Sequence, residues 1–157
     1  MALDPSFVGR SYPAATIYQV GRAKIREFAE AIGDDNAIYR DPGTARAFGY
    51  PDVIAPPTFA IILALQAQQA LIDDPDLGLD YSRMVHGDQS FTHHRPIRAG
   101  DELAATSYVD GIRTMGGNDL LTMRCEITDG AGDPVTTARS LLVVRGPCGG
   151  PDGRQDR

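Results

Sequence analysis

The chain has 157 residues, 42% hydrophobic and 23% charged, with a formal net charge of −6. That length suits one domain with a real core. The acidic balance argues against nucleic acid or an anionic membrane surface as partner, because both select clustered lysine and arginine. Residues 1–10 lack the apolar segment of an export signal, so the cytoplasm is the expected compartment. A disulfide between Cys125 and Cys148 is therefore not expected. Their spacing matches no metal pattern, and neither metal nor cofactor is expected.

Residues 2–19 carry Pro5 and Pro13 and read as extended structure lying over the domain. Residues 20–32 read as an amphipathic helix. Ile25, Phe28, Ala29 and Ile32 repeat at helical spacing, while Lys24, Arg26, Glu27 and Glu30 face away. Gly33 sits where a C-cap glycine belongs. Asp41 as N-cap and Pro42 in the first turn begin a short second helix that Gly49 ends. Residues 34–39 are thus a tight connection between helices.

Residues 55–72 organise the rest. Residues 59–65 are apolar all the way round, so a helix there must be wrapped by other elements. It is too short to cross a bilayer, which takes about 20 apolar residues. Pro57 fits its first turn, and Asp73-Asp74-Pro75 stops it. From Met84 the period changes to two. Val85, Gly87, Gln89, Phe91 and His93 share one face, with His86 opposite. Residues 103–109, 120–127 and 135–144 alternate likewise, and Gly116-Gly117-Asn118-Asp119 and Asp129-Gly130-Ala131-Gly132-Asp133 are turns. Cys125, alternating with Leu121, Met123 and Ile127, reads as a small core residue. The expectation is an α+β domain over residues 1–145. A curved antiparallel meander would wrap round a long central buried helix. Residues 146–157, rich in Gly and Pro, are expected to be disordered.

Three runs carry a family resemblance: Gly33-Asp34-Asp35-Asn36-Ala37-Ile38-Tyr39, Ala55-Pro56-Pro57-Thr58-Phe59 and Val85-His86-Gly87-Asp88-Gln89. With Arg95-Pro96-Ile97 and Gly100-Asp101, the chain resembles the MaoC-like hydratases and dehydratases over about residues 8–145. It is most similar to the HadA-like subunit of heterodimeric (3R)-hydroxyacyl-ACP dehydratases. The resemblance implies the hot-dog fold. In that family the loop reads Gly-Asp-x-Asn-Pro-(aliphatic)-His. Asp and His flank the reacting water, Asn supports them, and amides at the start of the central helix hold the thioester oxygen.

On this template Asp34, Asn36 and Tyr39 occupy the catalytic positions, and Thr58, Phe59, Ile62, His86 and Gln89 the substrate-binding ones. Two departures matter. Tyr39 replaces the histidine: imidazole titrates at about 6.5 and a phenol at about 10, so Tyr39 donates a hydrogen bond but does not exchange protons readily at neutral pH. Pro57 stands where active members often carry a glycine amide, and proline has no N–H. The amides of Thr58 and Phe59 remain.

The same residues admit plainer readings. Gly33-Asp34 alone is a helix end and a polar turn, Asn36 a loop hydrogen bonder, Tyr39 a core aromatic and His86 a structural histidine. His93 and His94, adjacent on a strand, point to opposite faces and do not share a metal. Phe59 and Ile62 suit the core as well as an acyl channel.

The resemblance implies the stabilising, acyl-binding subunit of a dehydratase or enoyl hydratase acting on acyl-ACP or acyl-CoA in fatty-acid-type metabolism. Its partner would be a hot-dog subunit with an intact Asp/His loop. The alternatives are a self-sufficient homodimeric hydratase using Asp34, and a non-catalytic thioester-binding or scaffold protein. Arg95 and Arg98 are candidates for docking an acidic carrier protein.

Overall fold

Alternation after residue 84 builds the sheet. The computed structural model describes residues 3–146, so Cys148 and the tail beyond Gly146 lie outside the described residues. Two short strands, β1 (Ser11–Pro13) and β2 (Tyr18–Gln19), precede helices α1 (Arg22–Ala31) and α2 (Pro42–Ala47). The central helix α3 (Ile61–Ile72) follows. Then come the long strands β3 (Met84–His93), β4 (Glu102–Met115), β5 (Asn118–Thr128) and β6 (Pro134–Val144). Every pairing is antiparallel, in the order β1-β4-β5-β6-β3, with β2 also on β4. The expected α+β class holds.

The four long strands do not form a simple meander. β3 skips β4 and pairs with β6 at the far edge, from Met84 opposite Val144 to His93 opposite Thr136. The chain must then cross back to reach β4. On the way, residues 97–99 pair with residues 53–55. Ala55 N–H donates to the Ile97 carbonyl at 2.7 Å and Ala99 N–H to the Val53 carbonyl at 3.0 Å. Periodicity reports which face a residue takes, not which strand lies beside it.

A bulge between His86 and Asp88 changes the faces of β3. His86 sits opposite Leu142, and Gln89, Phe91 and His93 sit opposite Ser140, Ala138 and Thr136, all buried. His86 therefore shares the α3 side with Gln89, Phe91 and His93, and Val85 faces away, contrary to a strict period of two. Gly87 permits the bulge: a Cβ there would lie 3.1 Å from Val143 Cγ2 and 3.3 Å from the Leu141 carbonyl.

The helix α3 starts at Ile61, four residues beyond Pro57, with Ala60 as its N-cap. Residues 57–60 form a tight turn in which Phe59 N–H donates to the Pro56 carbonyl at 2.9 Å. Leu63, Ala64, Ala67, Gln68 and Leu71 are buried, packed against β4 and β5 among others. Leu65 is 47% exposed and Gln66 and Gln69 are exposed too, so the sheet covers the helix on one side and does not encircle it. Gln68 Nε2 donates to Ser140 Oγ at 3.0 Å, both buried, tying helix to sheet. Phe59, fully buried, meets Phe28 and Tyr18 edge-on at centroid distances of 5.4 and 6.3 Å.

Gly33 (φ 73°) ends α1 in a left-handed cap. Gly33 N–H donates to the Glu30 carbonyl and Asp34 N–H to the Ala29 carbonyl. Asp41 caps α2 through the amides of Gly43 and Thr44, with Pro42 in the first turn.

Two outcomes follow for stability, both read from urea unfolding midpoints. Gly33→Ala places a Cβ in a left-handed conformation and is expected to cost about 1–2 kcal/mol. Gln68→Leu leaves the Ser140 hydroxyl buried without its partner and is expected to cost about 1–3 kcal/mol.

Candidate active site

The loop after α1 folds itself. Asp34 Oδ1 accepts from Asn36 N–H at 3.2 Å, and Asn36 Oδ1 accepts from Ile38 N–H at 3.1 Å. Two short polar side chains thus turn the backbone into a single 3-10 turn, Ala37–Tyr39. That turn drives Tyr39 into the main core, where it is 8% exposed. Asn36 spends its side-chain oxygen within its own loop.

Asp34 and Tyr39 come together. Burial, and after it the charge and proximity of the Asp34 carboxylate, push the phenol above its ordinary value of 10.0. A phenol so held stays protonated at neutral pH. It donates a hydrogen bond and does not accept a proton.

Tyr39 lines a cavity of about 340 Å³. Ile54, Ala55, Pro56, Pro57 and Ile97 give it mostly apolar walls, and His93, His94 and Arg95 add polar groups. A largely apolar hollow with a few convergent polar groups is the usual form of a small-molecule site. Asp34 is not among the lining residues; it stands beside Tyr39, which is. A larger hollow of about 610 Å³ lies at the opposite end of β3, lined by Arg83, Thr114, Asp119 and Arg145 among others, far from the loop.

The remaining candidates fall elsewhere. Thr58 is exposed on the turn beside Pro57, and its N–H has no protein acceptor among the described residues. The Phe59 amide is spent on Pro56, and its ring lies in the core, not on the cavity wall. Ile62 is half-buried against that core. His86 is exposed, with Nε2 donating to the Asp88 carbonyl at 3.1 Å. Gln89 is half-buried on β3, and its Oε1 is buried without a partner. None of these five lines the cavity that Tyr39 opens onto.

Arg95 is committed inside the fold. It forms a two-pronged pair with Asp101 at 2.8 and 3.1 Å and lies 3.5 Å from Asp129. Arg98 N–H donates to the same Asp101 at 2.9 Å, and its guanidinium lies 3.6 Å away. The expected basic patch is thus largely neutralised by its own carboxylates.

Strand alternation places the adjacent His93 and His94 on opposite faces; in the structure both line the cavity. β3 ends at His93 and the chain bends at His94, so alternation no longer applies. The Arg95-Pro96 run after them was the available signal, since proline ends strand pairing.

Among the described residues no helix is long and apolar enough to cross a membrane. The sequence model of the FAS1-like, dehydratase domain region matches residues 6–138. A UPF0336 protein of Saccharopolyspora erythraea is 59% identical over 153 residues, covering 98% of both chains. One of Streptomyces avermitilis is 57% identical over 145 residues, 92% of this chain and 97% of that one. A solved MaoC-like dehydratase superposes with a TM-score of 0.84 at 33% identity over 90% of this chain, which spans 43% of that structure's length. The Mycobacterium tuberculosis HadBC (3R-hydroxyacyl-ACP dehydratase) complex superposes at 0.81 and 29% identity, over 91% of this chain and 99% of that one. The chain has the hot-dog fold of the MaoC-like dehydratases and belongs to the FAS1-like dehydratase region family.

Proposed function

We propose that this chain is the stabilising, acyl-binding subunit of a (3R)-hydroxyacyl-thioester dehydratase or enoyl hydratase. It works beside a hot-dog partner that carries an intact Asp/His loop. The observation that carries this reading is Tyr39: a buried phenol next to Asp34, held protonated, where catalysis needs a group that takes and returns a proton. Pro57 weakens the site a second time, because its nitrogen offers no donor to a developing oxyanion.

Dehydration removes a proton from the carbon beside the thioester carbonyl and expels the hydroxyl as water. In the proposed complex both transfers belong to the partner's loop. This chain supplies an apolar cavity for the acyl thioester and a sheet edge for the partner. The outer edge of β3 has no strand beside it among the described residues, and Val85 is 39% exposed there. An open edge of this length is normally covered. The HadBC structure is itself a complex of two subunits, which supports a paired assembly.

A second reading has one observation in its favour: Asp34 and Tyr39 do meet. In it the chain is a self-sufficient enzyme, with Asp34 as base and Tyr39 as acid. The two readings part on two measurements. The purified chain is expected to hydrate a trans-2-enoyl thioester barely above background, and to gain at least roughly a hundredfold when co-expressed with a hot-dog protein bearing Gly-Asp-x-Asn-Pro-x-His, the scale of general acid-base catalysis. Brisk turnover by the chain alone overturns the helper role. Asp34→Asn in this chain is expected to leave the rate of the complex within about fivefold, since the exposed loop hydrogen bond that Asp34 accepts is worth at most on the order of 1 kcal/mol. Abolished turnover would instead establish Asp34 as the working base.

A further inference from the structure

His93 ends β3 at the cavity, and its ring is held on two sides. It stacks on Phe91, with centroids 6.0 Å apart and 10° between planes. Its Nδ1 lies 3.0 Å from Thr136 Oγ1 on β6. Thr136 is 1% exposed. A buried hydroxyl must place its proton on an acceptor, and Nδ1 is the partner this hydroxyl has among the described residues. Thr136 therefore donates to Nδ1, which selects the neutral tautomer with its proton on Nε2.

That Nε2–H has no protein partner among the described residues, and the ring lines the cavity. The other donors there are few. Pro57 has no N–H, the Phe59 amide is taken by the Pro56 carbonyl, and Arg95 is paired with Asp101. The Tyr39 hydroxyl sits beside the Asp34 carboxylate, and no side-chain partner among the described residues fixes the His94 ring. So a cavity that has lost a backbone donor presents an oriented side-chain donor instead.

We propose that His93 Nε2–H is the hydrogen-bond donor to the carbonyl oxygen of an acyl thioester held in this cavity, standing in for the amide that Pro57 lacks. This rests on the thioester reading of the site. The role is one of binding and orientation: a neutral imidazole donor suits a neutral carbonyl, and no proton changes hands.

The test uses crotonyl-coenzyme A, isotope-labelled at its carbonyl, with the full-length chain alone and in complex with its partner. Calorimetry gives affinity, and isotope-edited infrared spectra give the carbonyl stretch, which falls when the oxygen accepts a hydrogen bond. His93→Phe keeps a ring to stack on Phe91 but removes the donor. It is expected to weaken binding roughly fivefold to tenfold, the scale of one hydrogen bond, and to raise the stretch to its unbonded position. His93→Gln returns an N–H near the Nε2 position and is expected to bind within about twofold of the unmodified chain, with the lowered stretch retained. Thr136→Val reads the same bond independently: with the tautomer released, the stretch moves part of the way upward. Unchanged affinity and stretch in His93→Phe, or in Thr136→Val should His93→Phe not fold, overturn the proposal. If neither the unmodified chain nor its complex binds the thioester, the acyl-binding reading itself falls.

Discussion

One buried carboxylate holds together the segment on which the cavity depends. Asp101, 8% exposed, accepts two guanidinium N–H groups from Arg95 and the backbone N–H of Arg98. A two-pronged, charge-assisted pair of this kind fixes direction as well as distance. It locks the crossing from β3 to β4, and the crossing in turn carries Ile97 against Ala55. That short pairing draws three distant pieces of chain to one place: the end of β3, the turn before α3, and the loop after α1. The Arg-Pro-Ile-x-x-Gly-Asp run is thus explained by architecture, and its arginine charge is consumed within the fold.

The chemistry at that place is set by what each group can do with a proton. Asp34 and Asn36 fold their own loop, each accepting a backbone N–H from two residues on. Tyr39 is pressed into the core beside a carboxylate, and burial and negative charge act in the same direction on its phenol. A hydratase site needs a group poised near neutrality. The environment moves this one further from neutrality. A phenol here is therefore more than a missing imidazole: its surroundings reinforce its role as a donor alone.

The helix mouth is altered in the same sense. With α3 beginning at Ile61, the Pro56-Pro57 segment forms a rigid cavity wall and not the first helical turn. Proline lowers the flexibility of that wall while removing a donor from it. The hollow itself is largely apolar, and of its two histidines His93 is the one whose ring a neighbouring side chain fixes. Among the described residues, the edge of β3 has no strand beside it and the flank of α3 is exposed at Leu65.

Much of this was legible in the linear chain, because it depends on local forces. The apolar spacing of α1, the left-handed glycine at 33, the Asp41 cap and the period-two strands each follow from interactions within a few residues. So do the two departures at Tyr39 and Pro57, which are matters of side-chain chemistry. What only the tertiary structure decided depends on contacts distant in sequence. The pairing of β3 with β6, the bulge at Gly87 that turns His86 toward α3, and the late start of α3 are set by register and packing. The meeting of His93 and His94 on one cavity belongs with them, because where a strand stops is settled by its neighbour's hydrogen bonds. Local chemistry names the groups; long-range register decides which of them share a space.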